Sequence, residues 1–379
     1  MTNMIYLNNA ATGYPKFKST VLAMNESLLS GELSVNRDSV IADSTKERIF
    51  SLRNWIGEMM NAKEPHEIIF TASDTIALNM IIQGMKWKHG DVIIIDAMSH
   101  NAIARPAEAL KKQYGVEVIP VKSAEQLEKV LKNKNNIKAG VFSHGSNVTG
   151  DVISAKKIGK ILYKNKIPFI LDVAQTIGLY PIDVEKFHVS AAAFAGHKGL
   201  NGPQGTGGFY IRKSFKIKPI LFGGTGTESM SLNPEVVYPE SFEVGTAPMH
   251  DLVGLHAAVK EIREKVGYTI YSQIPCKIAQ YACDELRKLP QIKVYGCRNK
   301  QLPVISFNIK RYSCQEVGKY LGTKGIICRT GIHCAGMAIN QLKCVKEYGG
   351  TVRVSFGYFN TKADVDVLIR ALEALITRN

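Results

Sequence analysis

Apolar positions along this chain recur in two rhythms. Within residues 45–60, Ile49, Leu52, Ile56 and Met59 fall on one face of a helix. Shorter apolar runs at Glu67–Thr71, Val92–Asp96, Gly140–His144, Phe169–Val173, Ala191–Ala195 and Gly207–Ile211 have the length and composition of strands. Helical patterns at 75–86, 103–114, 124–133 and 155–165 lie between them. This alternation predicts an α/β fold, with a mainly parallel sheet covered by helices on both faces. Ligands of such sheets bind at the carboxyl ends of the strands. The polar residues singled out below directly follow those ends.

After about residue 250 the pattern changes. A long helical stretch over 251–288 leads into a smaller α+β segment, with strands expected at Val304–Ile309, Ile326–Arg329 and Val352–Tyr358. Thr361-Lys362-Ala363-Asp364 reads as a capping box with Asp in place of Glu. Val365, Leu368, Ile369, Leu372 and Ile376 then line one helical face. The expected division is a large domain over 13–255 and a small domain made of 1–12 and 256–379.

Composition narrows the class. The chain has 379 residues, enough for one large core or two domains. No run approaches the roughly 18 apolar residues of a membrane span. The opening Met1–Leu7 has no basic segment leading into a long apolar run, so a cytoplasmic protein with no membrane partner is expected. The formal net charge is +15, but the lysines are scattered and no nucleic-acid motif is present. The charge is read as a solvated basic surface, with no nucleic-acid partner. All seven cysteines lie beyond residue 275, and in such a chain they are expected as reduced thiols. Cys276, Cys283, Cys297, Cys314 and Cys328 read as structural, and Cys344 as a plain surface thiol. Cys328, His333, Cys334 and Cys344 match no common zinc spacing, so no metal is expected.

Three local features carry chemistry. The strand Phe169–Val173 brings a carboxylate, Asp172, with Gln175 three residues on; taken alone, Asp172 reads as a helix N-cap. A second strand runs into Gly196-His197-Lys198-Gly199, where glycines allow close approach of backbone and ligand around a lysine. The third is Cys328-Arg329-Thr330-Gly331-Ile332-His333-Cys334, followed by Arg353 on a strand. A cysteine beside His, in a glycine-flanked loop near two arginines, is a setting for a reactive thiol.

Eight motifs, in order along almost the whole chain, carry a resemblance: Tyr6-Leu7-Asn8-Asn9-Ala10-Ala11-Thr12, Phe70–Asn79, Ser99-His100-Asn101, Ser146-Asn147-Val148-Thr149-Gly150, Asp172-Val173-Ala174-Gln175, Gly196-His197-Lys198, Phe242-Glu243-Val244-Gly245-Thr246 and Arg329–Cys334. The sequence resembles the class V aminotransferase superfamily of fold-type I pyridoxal-phosphate (PLP) enzymes, and within it the group II cysteine desulfurases and selenocysteine lyases. The resemblance implies a large domain with a mixed, mostly parallel sheet flanked by helices, plus a smaller α+β domain. It implies PLP attached to Lys198, which would later shuttle the substrate α-proton. It pairs Asp172 with the pyridine nitrogen, stacks His100 on the ring and hydrogen-bonds Gln175 to the ring oxygen. Ser73, Asp74, Thr75 and His197 fall in the phosphate site, at a helix N-terminus suited to an anion. Thr246 would complete the phosphate site of a partner subunit, which implies a homodimer. Arg353 would clamp the substrate carboxylate, with Asn147 near the ring and that carboxylate. Cys334 would take sulfur from L-cysteine, with His333 helping to set its ionisation, and pass it to an acceptor protein; L-selenocysteine is the rival substrate.

The chain departs from the family pattern at several positions. Asn8 replaces Asp, Ser99 replaces Glu, and Ser73-Asp74 replaces a small uncharged pair before Thr75. Ala195 replaces the usual Ser or Thr and removes a phosphate hydroxyl, which predicts weaker cofactor binding. Ile332 replaces a His, and Ala247-Pro248 replaces Pro-Asn. The short spacing between Cys334 and Arg353 implies a short, ordered cysteine loop and a low basal rate raised by a docked acceptor. The alternatives are a selenocysteine lyase, a PLP β-lyase or transaminase, and a degenerate PLP-fold protein acting only as an interaction partner.

Overall fold

The computed structural model describes residues 4–30, 40–225, 230–232, 235–296 and 302–377, with the backbone alone at 40–42. Cys297 lies outside the described residues. Seven strands form the larger sheet, in the spatial order Ile68–Thr71, Gly207–Ile211, Ala191–Ala195, Phe169–Asp172, Ile137–Ser143, Val92–Asp96 and Glu117–Val121. Six of them point the same way, and Gly207–Ile211 runs antiparallel to both its neighbours. Central strands such as Ala191–Ala195 are buried at every residue, because helices cover both faces. On one face Leu171 and Phe194 share a core with Ile56 of the long helix Val40–Met60; on the other Ile170 shares a core with Ile81 of Asp74–Gln83 and Ile103 of Asn101–Tyr114. The fold is the mixed, mostly parallel sheet with flanking helices that the sequence implied.

The edge strand Glu117–Val121 escaped the sequence reading. Its exposed edge tolerates polar residues and Pro120, so its apolar run is short. The expected long helix over 251–288 is three pieces: Met249–Lys260, a π turn at Glu261–Val266, and Tyr268–Arg287. Gly267, at φ 81°, makes the break, a conformation that glycine adopts without steric cost.

A four-stranded antiparallel sheet, ordered Arg329–Gly331, Thr351–Ser355, Val304–Ile309, Ile292–Tyr295, forms the second core with the helices Tyr268–Arg287, Cys314–Thr323 and Lys362–Ile376. The expected strand Ile326–Arg329 is divided. Ile326–Ile327 pairs in parallel with Ile5–Tyr6, whereas Arg329–Gly331 joins Thr351–Ser355. The chain's opening segment is thus tied to this second core, where Leu7 is buried. The last helix starts as its sequence foretold. Thr361 N donates to Asp364 Oδ2 at 2.9 Å, and Asp364 N donates to Thr361 Oγ1 at 3.4 Å. Such a cap contributes about 1 kcal/mol.

Candidate active site

The carboxyl end of the strand Phe169–Asp172 delivers Asp172, buried, with Oδ1 accepting from Ala174 N at 2.9 Å. The neighbouring strand Ala191–Ala195 delivers the turn that holds Lys198. Glycine is required there by proximity. A Cβ on Gly196 would lie 2.2 Å from Thr206 Oγ1, and one on Gly13 would lie 2.9 Å from Lys198 O. The opening motif fastens the turn from outside, since His197 O accepts from Gly13 N at 2.8 Å, Lys16 Nζ at 3.1 Å and Thr12 Oγ1 at 3.2 Å. Gln175 Nε2 donates to Ala10 O at 3.0 Å, tying the Asp172 segment to the same strap. Lys198, Gln175, Ala10, Tyr271 and Phe356 line one cleft.

Electrostatics couple these groups. Burial lowers the Lys198 pKa, opposed by attraction to Asp74 and Asp172, and the nearby Arg353 and Arg329 lower it further. Burial raises Asp172, offset by the Ala174 N–H and by Lys198. A buried carboxyl of this kind returns to its charged form when a cation is placed against it. His100 is half-buried and caps the helix Asn101–Tyr114, its Nδ1 accepting from Ala102 N at 3.1 Å. Burial and Lys198 bring its pKa to about 4, so the ring is neutral with its other nitrogen protonated.

The second sheet contributes two arginines. Arg329 and Arg353 stand opposite one another on adjacent strands, so both guanidinium groups project from one face. Arg353 is fully buried. Its NH1 donates to Asn147 O at 2.9 Å and its NH2 to Asn8 Oδ1 at 3.1 Å, while Nε has no partner. Both acceptors are neutral. Burial, with repulsion from Arg329, pulls its pKa down to about 9. Two like charges opposite one another, one of them desolvated, form a site that favours anions.

Cys334 is exposed, and Arg329 NH2 donates to its Sγ at 2.9 Å. The loop that carries it is four residues, from Gly331 to the helix Gly336–Leu342. His333 and Cys334 both take left-handed backbone, at φ 56° and 57°. That costs energy for non-glycine residues and needs anchors. Cys334 O accepts from Asn101 N at 2.8 Å, and His333 O accepts from Asn147 Nδ2 at 2.9 Å. The His333 ring is buried, with Nε2 2.8 Å from Thr351 Oγ1, and burial brings its pKa to about 3. The ring therefore faces the sheet as a neutral anchor.

The structure thus gathers Lys198, Asp172, Asn147, His100, Arg353 and Cys334. It turns Asp74 inward and leaves Thr75 exposed; Thr246 is exposed beyond the Arg53–Glu243 ion pair. Arg329, one of the two arginines expected near the cysteine, also faces Arg353 across the strands, a pairing that depends on register. Cys344, expected at the surface, is instead buried in a small apolar cluster. Cys328 is half-buried, and burial raises its pKa to about 11, which suits a structural thiol. Among the described residues no three His, Cys, Asp or Glu side chains gather as a metal site, and no helix is long and apolar enough to cross a membrane.

The buried Asp172, the half-buried Lys198, the neutral His100 and the unpartnered, buried His197 Nδ1 fit a cofactor with a cationic ring, an aldehyde and an anionic tail. Residues 5–368 match the sequence profile of the family described as "Aminotransferase class-V". The chain is 30% identical to a protein from Pyrococcus abyssi called "Probable cysteine desulfurase", over 98% of this chain and 94% of that one. It is 27% identical to a "Cysteine desulfurase" from Escherichia coli strain IAI39, over 98% and 93%. Its fold superposes on the apo structure of a cysteine desulfurase from Thermococcus onnurineus with a TM-score of 0.91, at 28% identity, covering 99% of this chain and 95% of the other.

Proposed function

Because the chain belongs to the aminotransferase class-V family, we propose that it is a PLP-dependent cysteine desulfurase, converting L-cysteine to L-alanine and a persulfide on Cys334. The observation that carries this reading is the exposed Cys334 sulfur, 2.9 Å from Arg329, on a short loop whose carbonyl is fastened to Asn101 beside His100. Full-length relatives called cysteine desulfurases support it.

PLP, when bound, supplies the electron sink that stabilises negative charge on substrate carbon. The remaining steps are the chain's own. Lys198 holds the cofactor and moves the substrate α-proton. Asp172 would pair with the ring nitrogen, whose positive charge would keep this buried carboxyl ionised. The neutral His100 would stack on the ring when the cofactor is bound. Arg353 binds the substrate carboxylate with donors preset by Asn147 and Asn8. The Cys334 thiolate attacks the substrate sulfur. The new S–S bond forms as the carbon–sulfur bond breaks, its electron pair remains on carbon, and protonation there gives alanine. Arg329 holds the attacking sulfur, and His333 positions the loop without exchanging protons at the reacting atoms. The cleft lies between residues 13–255 and the unit formed by 1–12 and 256–379. We further place Thr246 in the phosphate site of a partner subunit, and an acceptor protein as the recipient of the sulfur.

The test is incubation of PLP-loaded protein with L-cysteine and a thiol reductant, with alanine and sulfide quantified. Equal amounts from the wild type and none from Cys334→Ala support the assignment; pyruvate with sulfide from both would replace it with a β-lyase.

A further inference from the structure

The helix Asp74–Gln83 begins hard against the strand pair that leads to Lys198. A Cβ on Gly207 would lie 2.7 Å from Ser73 C and 2.8 Å from Asp74 N, and Gly207 is the ladder partner of Ala195. Asp74 therefore stands beside the turn Gly196-His197-Lys198. Ser73 Oγ is held at the N-cap, accepting from Ile76 N at 3.3 Å, and Ala195 has no hydroxyl. Thr75 faces out. Asp74 is 7% exposed, and its Oδ1 has no hydrogen-bond partner.

This inward carboxyl occupies the helix N-terminus that, on the reading above, receives the cofactor phosphate. A carboxylate there would repel a phosphate dianion. A carboxylic acid would instead donate to it. We propose that Asp74 grips the cofactor phosphate as a neutral carboxylic acid, donating its own O–H where a hydroxyl side chain would otherwise donate, so that cofactor binding is linked to proton uptake.

The surroundings favour the protonated form. Burial raises the Asp74 pKa well above the carboxylate range, the Asp172 charge raises it further, and Lys198 pulls it back. His197 in the turn and His100 at the start of the packed helix Asn101–Tyr114 are neutral, each with its pKa brought to about 4. Arg105, further along that helix, is exposed. The strands Ile68–Thr71, Ala191–Ala195 and Gly207–Ile211 bring no charged side chain. The positive charges nearest the turn are Lys198 itself and Lys16, whose Nζ is held 3.1 Å from His197 O.

The inference rests on the PLP reading, and its test separates the two. Cofactor-free protein is titrated between about pH 6 and pH 9 with PLP and with pyridoxal, which lacks the phosphate. Dissociation constants are read from the visible absorbance acquired on Lys198 and by equilibrium dialysis. Wild type is compared with Asp74→Asn and Asp74→Thr, after circular dichroism shows native folds. Above the Asp74 pKa of the free protein, wild-type PLP affinity is expected to fall about tenfold per pH unit more steeply than that of Asp74→Asn. Near pH 9 both variants are expected to bind PLP at least about tenfold more tightly than wild type, with pyridoxal affinity alike in all three. Parallel pH slopes for wild type and variants, or equal losses for PLP and pyridoxal, overturn the inference. Should neither variant fold, calorimetry of the wild type in two buffers decides: about one extra proton taken up with PLP over pyridoxal supports it, and none overturns it. Absence of any absorbance on Lys198 with either ligand instead removes the PLP reading itself.

Discussion

Replacing Arg353 by Met should separate function from stability in opposite directions. Arg353 is fully buried, and its two hydrogen bonds go to neutral oxygens of Asn147 and Asn8. The folded protein thus carries a desolvated cation whose hydrogen-bond acceptors are both neutral, and an arriving carboxylate recovers part of the cost of that burial. Truncating one partner of a buried charged pair costs about 2–5 kcal/mol of binding, or about 30-fold to several thousandfold in kcat/KM for L-cysteine. The loss should fall largely on KM. Stability behaves otherwise. Two lost hydrogen bonds cost about 1–3 kcal/mol, and removing an unpaired buried charge returns a similar amount. The Met variant should therefore unfold in urea within about 1 kcal/mol of wild type. Alanine formation across a range of cysteine concentrations, with urea unfolding of the same samples, checks both halves. A variant that keeps its KM but loses about 3–5 kcal/mol of stability would refute the reasoning, because Arg353 would then be a structural cation.

Other perturbations test other contacts. Arg329→Ala removes a charge-assisted hydrogen bond to the Cys334 sulfur, and steady-state kinetics should show about a ten- to hundredfold loss in kcat with KM little changed. His333→Asn keeps a residue that tolerates left-handed backbone, so the pH–rate profile should keep its shape; a displaced limb would show that His333 exchanges protons during turnover. The same variant tests linkage. With a pKa of about 3 when folded and the ordinary value when unfolded, His333 contributes stability that is lost as pH falls from about 6.5 towards 3, and its replacement should remove about 1.4 kcal/mol per pH unit from the acid-side slope of urea stability. Ala195→Ser should restore a hydroxyl donor and tighten PLP binding, measured as a lower dissociation constant at fixed pH.

The residues of the large sheet were legible because its central strands are buried on both faces and read as apolar runs, each ending at a turn that carries chemistry. Asp172 and Lys198 were visible on that ground. The edge strand Glu117–Val121 was not, because half-solvated backbone does not demand apolar side chains. The division of 326–331 between two sheets hid the facing of Arg329 and Arg353, which is set by strand register and leaves no periodic trace in sequence. Cys344 and His333 show a further limit. Lysines flank Cys344 in the chain, yet the folded environment is apolar. His333 sits beside a reactive cysteine, yet two successive left-handed residues turn its ring into the sheet. Neighbours in sequence did not predict neighbours in space where the backbone leaves regular structure.

The most direct test of the account is a single turnover without reductant. PLP-loaded protein is mixed with L-cysteine, quenched, and digested for mass spectrometry of the peptide containing Cys334, with alanine measured in parallel. The account predicts one sulfur atom added to Cys334 for each alanine formed, and neither product with Cys334→Ala. Alanine formed in equal amount with no sulfur on Cys334, or undiminished in the variant, would contradict it.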